Sequence, residues 1–108
     1  SKARVIIEKV LFAKTRINGN NDFIANHFIN IYKINEKNKK NNKPEVVFTN
    51  GIVDNFNENE SFQLINIYNL LVGPKGILSA STNEKSGIMN LEIQTKDEKL
   101  SIVTVDTL

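Results

Sequence analysis

The sequence predicts an all-β domain: a five-stranded barrel in Greek-key order, with one helix between its third and fourth strands. Three observations carry this expectation. Segments rich in Val, Ile, Leu, Phe and Tyr recur between clusters of Asn, Gly and Lys, the punctuation of strands and turns. A single segment, Phe62 to Val72, sets its polar residues at every third position instead of every second. That segment follows three strand-like stretches and precedes two more. The 108 residues suit one domain, residues 1–108.

The elements follow in order. Ala3 to Lys14 opens as a strand with apolar residues on both parities (Val5, Ile6, Ile7, then Val10, Leu11, Phe12), as in a bent strand or one bulged near Glu8-Lys9. Asn18-Gly19-Asn20-Asn21 turns the chain into a second long strand, Phe23 to Ile34. A lysine-rich loop, Asn35 to Lys43, leads to Pro44 and a third strand over Glu45 to Val53. Gly51 within it marks a bulge or a close backbone approach. Asn57 suits an N-cap with Glu60 three residues on, and Gly73-Pro74 ends the helix. Gly76–Thr82 and Ile88–Thr95 are the fourth and fifth strands around an Asn83–Gly87 loop, and Leu100–Val105 is a short final strand or a continuation of the fifth.

Composition narrows the function classes. The chain is 40% hydrophobic and 24% charged, as ordinary globular proteins are. No apolar run approaches the roughly 18 residues of a membrane span, and no signal peptide is expected. With no cysteine, disulfides, thiolate zinc sites and cysteine nucleophiles are excluded. A cytoplasmic protein without a membrane partner is the expectation. His27 is the only histidine and is expected to be packed or hydrogen-bonded, so no ordinary transition-metal site can be assembled. No phosphate-binding or dinucleotide glycine motif is present. Neither catalytic residues nor a cofactor are expected, and the chain is read as a non-enzyme.

Charge points to a partner. Net charge is +2, but residues 1–43 hold ten Lys or Arg against three Asp or Glu, a net +7. Residues 44–108 hold four against nine, a net −5. As a strand, residues 23–34 place Asn26, Phe28, Asn30 and Tyr32 on one face. Rings interleaved with amides suit base stacking, and Lys37, Lys39, Lys40 and Lys43 follow directly as phosphate contacts. Lys14, Arg16 and Lys33 fall near the same end of the hairpin, and Phe48 on the third strand is either core or a further stacking ring.

Strand, strand, strand, helix, strand, strand is the order of the OB-fold. With its long second strand, basic loop and Gly73-Pro74-Lys75-Gly76-Ile77-Leu78, the chain resembles single-stranded-DNA-binding proteins. The likeness is to small members encoded by phages of low-GC Gram-positive hosts, which would act in the host cytoplasm. It departs from bacterial members in having no Trp, and Thr104-Val105-Asp106-Thr107-Leu108 is not the acidic tail common among them. The resemblance implies a homodimer or homotetramer and a recombination or single-strand-annealing partner.

The function expected is non-sequence-specific binding and protection of single-stranded DNA in replication or recombination. An RNA-binding OB domain is one alternative, since stacking accepts either sugar. A protein-interaction or structural barrel without a nucleic acid ligand is the other.

Overall fold

The computed structural model describes residues 2–72, 76–83, 85–94 and 99–106. Over these it shows a mixed α/β chain rather than an all-β barrel. The order is α1 (Lys2–Leu11), β1 (Lys14–Ile17), β2 (Asn20–Phe23), α2 (Ile24–Ile31), α3 (Ile34–Lys40), a 3-10 turn (Val53–Asn55), α4 (Glu58–Val72), β3 (Leu78–Asn83), β4 (Ile88–Gln94) and β5 (Lys99–Asp106). The strands form a two-stranded sheet, β1-β2, and a three-stranded sheet, β3-β4-β5. The OB-fold expectation is thereby overturned, and with it the element order on which the resemblance rested. Residues 1–67 and 68–108 make two compact units.

In the first unit, helical spacing prevails where strands were expected. Ile6, Ile7, Val10 and Leu11 are buried in α1. Their spacing of one, three and one residues is a helix stripe, which is why apolar residues fell on both parities. The predicted second strand divides. Only its first residue, Phe23, stays in a strand; Ile24 to Ile31 is α2, and α3 follows after Tyr32 and Lys33. Buried Ile24, Ala25, Phe28, Ile29 and Tyr32 repeat the α1 stripe. The β-branched isoleucines weigh for a strand, but their spacing buries them together only in a helix.

The hairpin between α1 and α2 is short. Ile17 pairs with Asn20, so the loop is Asn18-Gly19. Both have positive φ, +52° and +79°, the signature of a type I′ turn. His27 lies buried with its Nε2 2.7 Å from the Thr15 carbonyl oxygen, tying α2 to β1. It is the hydrogen-bonded packing residue that its isolation predicts.

The end of α3 redirects the chain. Asn42 takes a left-handed conformation (φ +56°), the Asn42 N–H donates to the Lys39 carbonyl, and the Lys43 N–H to that of Asn38 at 2.8 Å. This is a Schellman motif with asparagine in the glycine position. Residues 44–48 then run without a sheet partner and the chain bends at Thr49, so the predicted third strand is not a strand. Side-chain amides hold it instead. Asn35 accepts from the Val46 N–H at 2.9 Å and donates to the Val46 carbonyl at 3.0 Å. Asn26 does the same for Phe48, at 2.9 and 2.8 Å. Asn38 donates to the Pro44 carbonyl at 3.2 Å.

Gly51 meets Phe12 so closely that an added Cβ would lie 2.6 Å from the Phe12 Cβ. The close approach is real, although no strand surrounds it. Phe12 is also the hub of an aromatic cluster, edge-on to Phe23, Phe48 and Phe56 with centroids 5.2–5.8 Å away.

Helix α4 begins as the sequence indicates. The Glu60 N–H donates to Asn57 Oδ1 at 2.8 Å and the Asn57 N–H to Glu60 Oε1 at 3.0 Å, a reciprocal capping box. Gly73-Pro74, read as its stop, lies outside the described residues. The faces of α4 differ from expectation: Gln63 is buried with Leu64 and Ile67, while Phe62 and Ile65 are exposed.

The second unit holds an antiparallel meander. Leu78 pairs with Ile93 and Asn83 with Ile88, and β4 pairs with β5 from Ile88↔Asp106 to Gln94↔Lys99. The register shifts between Leu91 and Glu92. Gly87, with φ +70°, completes the turn that Asn83–Gly87 predicts.

Candidate nucleic-acid interface

The predicted stacking rings are in the core. Phe28 is 1% exposed, Phe48 2% and Tyr32 8%. On a helix, Phe28 and Tyr32 are one turn apart and pack on each other with centroids at 6.3 Å. Phe48 stacks on Phe56 at 5.2 Å. Asn26, read as sharing their open face, is buried and committed to the Phe48 backbone and to Asp22 Oδ1 at 2.9 Å. Alternation within one strand would have exposed the rings, and the helical period turns them inward.

The lysines are placed differently. Lys33, Lys37, Lys39, Lys40 and Lys43 are all exposed, on α3 and the turns at its ends. Among the described residues, none of the five has an ion-pair partner. Lys33 is left-handed (φ +52°) at the joint between α2 and α3. The opposite side of α3 is anchored by buried Ile34, Asn35 and Asn38. Lys14 and Arg16 are exposed on the hairpin. Lys14 Nζ stands 5.2 Å over the Phe23 ring, and Arg16 donates to the Gly19 carbonyl at 3.4 Å.

Beneath the basic helix runs a polar network that sequence reasoning missed. Gln63 donates from Nε2 to Asn35 Oδ1 at 2.9 Å and to the Val46 carbonyl at 3.1 Å. Its Oε1 accepts from Asn38 at 3.0 Å and from Asn66 at 3.2 Å. No buried side-chain nitrogen or oxygen among the described residues is left without a partner. Such a network holds side chains in fixed positions when every member is satisfied. No local pattern in the sequence marks a buried amide.

Beside this network lies a cavity of about 340 Å³, lined by Asn38, Lys43, Pro44, Glu58, Asn59, Phe62, Gln63 and Asn66. Phe62 is 58% exposed. Among the described residues, no three His, Cys, Asp or Glu side chains group to hold a metal, and no helix is long and apolar enough to cross a membrane. No family model, no curated protein and no solved structure matches the chain.

Proposed function

We propose that this chain binds nucleic acid, single-stranded DNA first, through the phosphate backbone along the lysine surface of α3. One observation carries the reading: Lys33, Lys37, Lys39, Lys40 and Lys43 are exposed and without an ion-pair partner, on a helix whose inner side is tied down by amides. Charges on an anchored helix lose little freedom on meeting a polyanion. The contacts are to phosphate and carry no sequence information. Stacking by Phe28, Tyr32 and Phe48 has no part in it. The three lysines in the last turn of α3 also suit the helix dipole, and the experiment must separate that service from binding.

Anisotropy with a labelled oligo-dT of about 30 nucleotides, duplex DNA and oligo-U at several salt concentrations tests the reading. Five phosphate contacts on a single strand give a slope of log K against log salt of about −3.5. Charge reversal at Lys37, Lys39, Lys40 and Lys43 together should abolish binding while the far-ultraviolet spectrum is kept. Unchanged binding by that variant, or weak binding indifferent to salt, refutes the assignment. Tighter binding to oligo-U makes RNA the ligand. A coating role in replication or recombination, in the cytoplasm, further calls for self-association, read as an increase in mass on oligomeric DNA.

A further inference from the structure

We infer that the cavity between α3, Lys43-Pro44 and the start of α4 takes one unstacked nucleobase whose edge carries an amino group, such as cytosine. The inference rests on the reading of α3 as a phosphate-binding surface and adds a second kind of contact to it. Its volume, about 340 Å³, is at the lower end of the roughly 300–1,000 Å³ typical of small-ligand clefts.

Three features suit a base. Phe62 lines the cavity with an aromatic ring, and it is exposed where Phe28 and Phe48 are buried. Asn38 and Gln63 form a wall that the amide network holds in place. The remaining polar groups are available: Asn66 donates to Gln63 through Nδ2, and its carbonyl oxygen has no partner among the described residues. The same holds for the Asn59 amide, the Glu58 carboxylate and Lys43 Nζ.

The charges orient the ligand. Glu58 repels phosphate and accepts from an exocyclic amine, as carboxylates do from cytosine N4. Lys43 lines the same cavity and belongs to the basic surface of α3. A nucleotide therefore enters with its phosphate toward Lys43 and its base toward Phe62, Asn66 and Glu58. Acceptors and a ring would then read a base where the lysines read none.

The test compares oligo-dC with an abasic oligomer of equal length and charge. The chain has no Trp, so Phe62→Trp supplies a single tryptophan at the cavity, excited apart from the two tyrosines. Oligo-dC should quench it and the abasic oligomer should not. Phe62→Ala, at an exposed position, should weaken oligo-dC binding roughly 5- to 100-fold and leave abasic binding unchanged. Equal affinities for the two oligomers without quenching overturn the base site and leave the lysine surface standing. Failure of both oligomers to bind removes the base site and the lysine surface together.

Discussion

Two extended stretches of this chain are held in different ways. Strand β4 is paired on both sides, with β3 and with β5, through backbone ladders. Residues 44–48 have no ladder; Asn38, Asn35 and Asn26 bind the carbonyls of Pro44, Val46 and Phe48 at every second residue. A backbone ladder is largely indifferent to side-chain identity, because each residue but proline brings the same donor and acceptor. A segment held by amides depends on a few particular residues. The basic helix α3 shares Asn35 and Asn38 with that network, so the candidate interface inherits the dependence.

The contrast is broken most severely at its two glutamines. Gln63 is 1% exposed and makes four hydrogen bonds, whereas Gln94 is exposed at the end of β4. Gln63→Ala should cost about 3 kcal/mol in urea unfolding, since it removes a buried hydrogen bond from each of Asn35, Asn38 and the Val46 carbonyl. Gln94→Ala should stay within about 0.5 kcal/mol. Equal costs would show that the amides do not hold the segment.

Gly51→Ala comes next. Its Cβ would lie 2.6 Å from the Phe12 Cβ, an atom fixed to the backbone just after α1, and the shift required should cost roughly 1–3 kcal/mol. Paired with Phe12→Ala, the cost should change, which a double-mutant cycle reads.

Asn35→Ala sharpens the comparison by hydrogen exchange. The Val46 N–H should lose its protection while the amides of β4 keep theirs; retained protection at Val46 would place its partner elsewhere. The smallest effect tests the period itself. At exposed Asn30 in α2, alanine should be more stable than valine by roughly 0.5 kcal/mol, and a strand would reverse that order.

Legibility followed the range of the interactions. The Asn18-Gly19 turn, the Asn57–Glu60 capping box and the β3–β4 hairpin could all be read, because their partners lie within a few residues. The exposed lysines were readable because no core accepts unpaired ammonium groups. The stripe in residues 24–32 was present as well, but its β-branched isoleucines also suit a strand, whose alternation puts Phe28 and Tyr32 on an open face. Phe62 and Gln63 were beyond reach. A rule that sends phenylalanine inward and glutamine outward fails where a buried amide has partners 17 to 28 residues away.

The sequence by itself determined the short-range elements and the charge of the α3 surface, since both depend on neighbouring residues and on the cost of desolvating lysine. Only the tertiary structure decided that Asn26, Asn35, Asn38 and Gln63 go inside and Phe62 stays out. Burying an amide is favourable only when distant groups satisfy its hydrogen bonds, and the fold alone brings those groups together.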